Sequence, residues 1–127
     1  FSKSTKVILL LSMLFSAELF AQSCDVKNGE RLFQVCNACH TITQDQDTNK
    51  QGPSLKTLLG RPAGALKSYE YSFAMEGAGF TWDKKQLDKF IENPGAVVPW
   101  NGMPFSGIKS KSERKDIVCY MEHASGK

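Results

Sequence analysis

The sequence predicts an all-α domain, small and threaded with long loops, and three observations carry that reading. Apolar residues recur at helical spacing behind capping residues in several stretches. No stretch alternates apolar and polar residues as a half-buried strand does. Glycine and proline collect between the helical stretches. With 127 residues the chain suits one domain, and neither an internal repeat nor a low-complexity tract divides it. Such a chain buries a thin core and is suited to folding around a bulky group.

The first helix is expected from about Val26 to Val35, with Asp25 as N-cap and Val26, Gly29 and Phe33 on one face beside Leu32. Residues 41–68 read as loop, marked by Gly52-Pro53, Gly60-Arg61-Pro62 and Gly64. A short helix is expected from Ser72 to Glu76, before the turn Gly77-Ala78-Gly79. Thr81 then caps a helix running through Asn93, with Leu87, Phe90 and Ile91 on its apolar face, and Pro94 ends it. Residues 94–108, with three prolines, read as an extended loop. The last helix begins near the capping box Ser110-Lys111-Ser112-Glu113 and sets Ile117, Tyr120, Met121 and Ala124 on one side. Gly126 suits its C′ position.

Residues 1–23 are read apart from this domain, as an export signal. Lys3 and Lys6 precede an apolar run from Val7 to Phe15, and Ala21-Gln22-Ser23 supplies small residues for signal peptidase. Cleavage is expected after Ala21 or Ser23, leaving a domain over residues 24–127. An uncleaved anchor is the alternative, but Val7 to Ala21 gives 15 residues including Glu18, whereas a span takes about 20 apolar residues. The residues before Cys24 do not resemble a lipobox. No later segment is apolar enough to cross a bilayer, so the cleaved chain is not expected to span one. Without the leader the chain holds 14 Lys and Arg against 12 Asp and Glu. It has no dense basic stripe, which sets nucleic acid aside as a partner. Four cysteines in an exported chain call for oxidative or cofactor chemistry.

Cys36-Asn37-Ala38-Cys39-His40 supplies the cofactor chemistry. C-x-x-C-H is the attachment signature of c-type heme. On a helical turn both thiols project to one side, where they can form thioethers with the two vinyl groups, and His40 follows as the proximal iron ligand. A thioredoxin-like C-x-x-C would sit in a βαβ pattern, which is absent, and a zinc site would need four ligands where only His123 remains as a further histidine. Met75, Met103 and Met121 are the candidates for the sixth coordination position. Met121 lies on an apolar helix face and Met75 in a short helix, where core packing explains either. Met103 sits in the stiff loop Pro99-Trp100-Asn101-Gly102-Met103-Pro104-Phe105 and is the expected ligand; His/Met ligation raises the reduction potential.

Further motifs follow in order. They are Gly29 and Phe33, Gly52-Pro53-x-Leu55, Gly60-Arg61, Tyr69-Glu70-Tyr71-Ser72, Trp82, Glu92-Asn93-Pro94, Pro99 with Met103 four residues on, and Glu113-Arg114-x-Asp116 leading to Tyr120. With the heme signature, they make nearly all of the expected mature chain resemble class I cytochrome c, the soluble mitochondrial and bacterial group. The resemblance implies a small heme-wrapped fold with packed N- and C-terminal helices and one covalently attached heme c. It implies that the Pro53 carbonyl orients the His40 ring, and that Arg61, Tyr71 and Trp82 contact or screen a buried propionate. A loop cation and two core aromatics are the plainer reading of these three. Trp100-Asn101-Gly102 stands where mitochondrial members carry Gly-Thr-Lys. Asn101 can still bond a propionate, but a docking charge is missing. Phe90 replaces a tyrosine that would bond the methionine sulfur.

In the resembling fold the first and last helices meet, so Cys24 and Cys119 can form a disulfide; small core filler is the other reading of Cys119. The resemblance further implies a monomeric periplasmic electron carrier, not an enzyme. Its partners would be membrane-bound cytochrome c reductase and oxidase complexes or periplasmic redox enzymes. Lys50, Lys56, Lys109 and Lys111 are candidate docking charges, or simply solvated cations. A heme enzyme or gas sensor with an open sixth position is the alternative class, and requires Met103 not to bind iron.

Overall fold

Capping residues set most helix boundaries. The computed structural model describes residues 23–126, so the expected export signal, Ser23 apart, lies outside the described residues. Asp25 opens α1 (Val26–Asn37) by accepting from the Asn28 backbone N–H at 2.9 Å. The helix runs past its expected end at Val35, which places Cys36 in its last turn. Ser72 caps α2 (Phe73–Glu76).

Two expectations are corrected in the next stretch. Asp83, not Thr81, caps α3 (Lys84–Glu92), accepting from the Gln86 N–H. The reason is tertiary. Trp82 donates to the Arg61 carbonyl at 3.0 Å and accepts from the Gly60 N–H at 2.7 Å, and Pro62 and Thr81 form an isolated antiparallel bridge. Backbone held that way stays extended, so the helix starts after it. Pro94 ends α3 as expected but also begins α4 (Pro94–Val97), where an extended loop is expected. Proline is preorganised for the first helical position, and the Asn93 side chain caps the turn through the Ala96 N–H at 3.2 Å. Ser110 caps α5 (Lys111–Ala124), and Gly126 takes the left-handed conformation beyond its end, at φ 72°.

Helices α1 and α5 form the frame of the molecule. Gly29 has no room for a side chain, since a Cβ there would run into the Asp116 carbonyl and lie 2.9 Å from the Tyr120 Cβ. Phe33 and Ile117, both 0% exposed, belong to the same buried cluster, and the Phe33 and Tyr120 rings lie 5.2 Å apart. Cys24 and Cys119 form a disulfide across this pair, with Cα atoms 6.2 Å apart. Helix α3 closes against α5 through buried Arg114. Its guanidinium binds Asp88 at 2.9 Å and donates to the Ile108 and Lys109 carbonyls at 3.1 and 2.8 Å. Trp82, Leu87, Phe90, Ile91 and Met121 continue the core, and Phe80 and Phe90 flank Trp82 edge-on at 4.8 and 5.1 Å. Among the described residues there is no β-strand, and no helix is long and apolar enough to cross a membrane.

Candidate heme site

The end of α1 gathers the three residues of the C-x-x-C-H motif. The Cys36 carbonyl accepts from the backbone N–H of both Cys39, at 3.0 Å, and His40, at 2.9 Å. That double acceptance curls the chain so that Cys36, Cys39 and His40 share one turn. Both thiols are free and half-buried. Burial, with a smaller push from Cys39, raises the Cys36 thiol to about 11, so it is a neutral thiol at physiological pH. Reactive thiolates of disulfide oxidoreductases show the opposite shift. Among the described residues no group of His, Cys, Asp and Glu side chains could hold a bare metal ion.

The His40 ring is fixed on one side. Its Nδ1 lies 2.7 Å from the Pro53 carbonyl, which makes Nδ1–H the donor and leaves the Nε2 lone pair free. Burial foremost holds its pKa below the ordinary value, against the Pro53 bond, so the imidazole stays neutral as a ligand must be. Gly52 makes the close approach possible, because a Cβ there would lie only 2.7 Å from Nδ1 and 2.9 Å from Nε2. The loop itself is braced. Gly52 N–H donates to the Cys39 carbonyl at 2.8 Å, and Leu55 N–H to the Thr41 carbonyl at 2.7 Å. The Gln46 amide bridges the Gly52 carbonyl, at 3.2 Å, and the Ser54 N–H, at 2.7 Å.

Met103 lies half-buried against the core, outside any helix. Asn101 shapes its loop. The amide oxygen accepts from the Met103 N–H at 2.7 Å, the amide nitrogen donates to the Val98 carbonyl at 3.0 Å, and its carbonyl takes the Ser72 hydroxyl at 2.9 Å. Asn101 therefore acts first as an internal brace of the methionine loop. Met75 and Met121 are core residues, 9% and 4% exposed.

The pairing of residues 60–63 with 80–82 brings Arg61 and Trp82 together, although they are distant in sequence. Arg61 donates to the Ser54 carbonyl at 2.8 Å and makes no ion pair among the described residues. Burial lowers its pKa, and burial raises that of Tyr71 against the opposing pull of the nearby Arg61 charge. Trp82 is buried, with Phe80 and Phe90 edge-on against its ring. Lys50, Lys56 and Lys109 are tied to their own chain, to the Asn37 carbonyl, Asp45 and the Glu92 carbonyl. These residues fit a heme c: two free thiols on one turn, an oriented neutral imidazole, a thioether on a braced loop, and a half-buried cation with no carboxylate partner. Sequence reasoning missed Gln46 and the steric role of Gly52. The Gly52-Pro53 pair is a visible signal, but the sequence reading gives a role at the heme to Pro53 alone.

The family model described as cytochrome c matches residues 26–125. Cytochrome c2 of Rhodomicrobium vannielii is 34% identical over 125 residues, covering 98% of each chain. Cytochrome c-550 of Nitrobacter winogradskyi is 40% identical over 97 residues, covering 76% of this chain and 88% of that one. The solved structure of cytochrome cH from Methylobacterium extorquens superposes with a TM-score of 0.71 at 33% identity, covering 78% of this chain and 98% of the other.

Proposed function

The chain belongs to the cytochrome c family, and from that premise we propose that it carries single electrons in the periplasm, from a quinol–cytochrome c reductase to a terminal oxidase or another periplasmic redox enzyme. Its cofactor is one covalently attached heme c, as in the rest of the family. Bound there, the heme supplies a one-electron Fe(III)/Fe(II) couple. No substrate bond is made or broken, so no residue is assigned a catalytic role.

Cys36 and Cys39 would hold the heme by thioethers, and His40 and Met103 would supply the nitrogen and sulfur that bind its iron. Pro53 orients the His40 ring and keeps Nε2 as the free nitrogen. Arg61, Tyr71 and Trp82 would receive a propionate, the anion that the half-buried guanidinium lacks. Asn101 positions Met103 through its backbone N–H. The observation that carries the reading is the single turn that presents two free thiols beside an imidazole already committed at Nδ1. Export to the periplasm is supported by the basic and apolar N-terminal pattern and by the match to the Rhodomicrobium protein, which runs over 98% of both chains.

The test is made on protein matured with heme. We expect one heme per chain that survives acidic acetone extraction, and a mature N-terminus at Gln22 or Cys24 by mass spectrometry. The oxidised form should show the far-red band of iron–methionine ligation, lost in Met103→Ala. Rapid carbon monoxide binding by the reduced parent protein would instead reveal an open sixth position and end the carrier reading.

A further inference from the structure

Phe73 and Trp100 are 93% and 91% exposed, which leaves both outside the core. The segments that carry them adjoin: the Ser72 hydroxyl donates to the Asn101 carbonyl at 2.9 Å, and a Cβ on Gly102 would lie 3.7 Å from the Ser72 Cβ. Pro99 and Pro104, in the same loop as Trp100, are exposed as well. Trp100 also has φ 64°, in the left-handed region that disfavours any residue with a Cβ. Glycine would suit that backbone better, and nothing in the core rewards an indole there. Neither turn geometry nor packing accounts for a tryptophan at this position.

The Trp100 loop itself carries no charge, and the charge nearest Phe73 in its own helix is the exposed carboxylate of Glu76. From Pro94 to Ile108 the chain carries no ionisable side chain. Cations gather instead beside the disulfide, where Lys84, Lys85, Lys111 and Lys115 line a groove between α3 and α5. A partner that recognised the Trp100 surface through acidic residues would find nothing to pair with.

We propose that Trp100, flanked by Phe73, is the anchor by which this carrier docks a one-electron redox protein whose contact face is apolar and uncharged. The inference rests on the electron-carrier reading and adds the chemistry of the partner. An exposed tryptophan is the side chain best suited to anchor an interface, because it buries a large rigid surface at small entropic cost. Trp100 lies three residues before Met103, so a partner seated on it meets the loop that carries the thioether. Association through such a face depends little on ionic strength.

The holoprotein can be tested by voltammetry on gold coated either with mixed methyl- and hydroxyl-terminated alkanethiols or with carboxylate-terminated ones. On the apolar coating we expect a reversible one-electron response that changes less than about twofold between low and high salt. Trp100→Gly should lower the electroactive coverage about tenfold there, and leave the carboxylate response unchanged. Glycine fits the φ at this position, so an unaltered heme spectrum is the control for folding. The proposal is overturned if the parent responds only on the carboxylate coating, or if Trp100→Gly leaves the apolar response intact. Trp100-dependent co-sedimentation with phosphatidylcholine vesicles would assign the surface to lipid and overturn it as well. Absence of any reversible couple on either coating would instead defeat the carrier reading itself.

Discussion

Gly52 lies against the imidazole of His40, and that contact shows how one residue sets the quality of the site. A methyl group at Gly52 would lie 2.7 Å from Nδ1, the atom bonded to the Pro53 carbonyl. The ring would have to move, and the backbone beside it is held by the Cys39 carbonyl. Gly52→Ala should therefore destabilise the holoprotein by about 1–3 kcal/mol, the usual range for overpacking. Denaturant titration of the heme absorbance measures this. A midpoint equal to that of the parent would mean the ring has slack that the geometry does not show.

At the level of elements, the contact of α1 with α5 is held by Asp116 as well as by apolar packing. Its carboxylate accepts from the Asn28 side chain and the Asp25 backbone N–H, both at 2.9 Å. Those bonds, the Asn28 one foremost, hold its pKa below the usual carboxylate range. The sign follows from the depressed value. Above about pH 4, the ordinary range for an unfolded aspartate, the contribution is complete; it is lost as pH falls through the lower folded value. Asp116→Asn should cost about 1 kcal/mol at neutral pH, less than a buried charge-assisted bond because solvent reaches the pair. It should also flatten the fall in stability between about pH 4 and pH 2. Denaturation midpoints against pH for parent and variant would decide. Parallel curves would show that Asp116 contributes nothing to acid sensitivity.

At the scale of the whole molecule, the disulfide ties the start of the domain to its last helix. Cys24 and Cys119 are 95 residues apart. Closing a loop of that length is worth about 4–5 kcal/mol in the chain-entropy model. The double variant Cys24→Ser/Cys119→Ser should lose stability of that order while keeping its heme, because Cys36 and Cys39, the proposed attachment points, are untouched. Midpoints that coincide with and without reductant, in parent and variant alike, would argue against the bridge. Buried Arg114 supplies a second long-range tie, joining α3, the 108–109 loop and α5 through Asp88 and two carbonyls.

What could be read from the residues was local. The attachment turn is contiguous, so Cys36, Cys39 and His40 announced their chemistry without a fold. Asp25, Ser72 and Ser110 marked helix starts for the same reason, since a cap acts within one turn. Met103 stood out because its proline-rich loop gave it no helical face to fill. Local information failed where two reasonable choices differed only by a distant contact. Thr81 and Asp83 are both capping residues, and the bond from Trp82 to Arg61 chose between them. Pro94 could end one helix or begin another, and it does both. The meeting of Arg61 with Trp82, the joining of Cys24 to Cys119 and the exposure of Trp100 all depend on chain closure over long separations. Sequence by itself therefore determined the chemistry carried on single turns, and tertiary structure alone decided which distant residues face one another, because those contacts exist only after the loops have been closed.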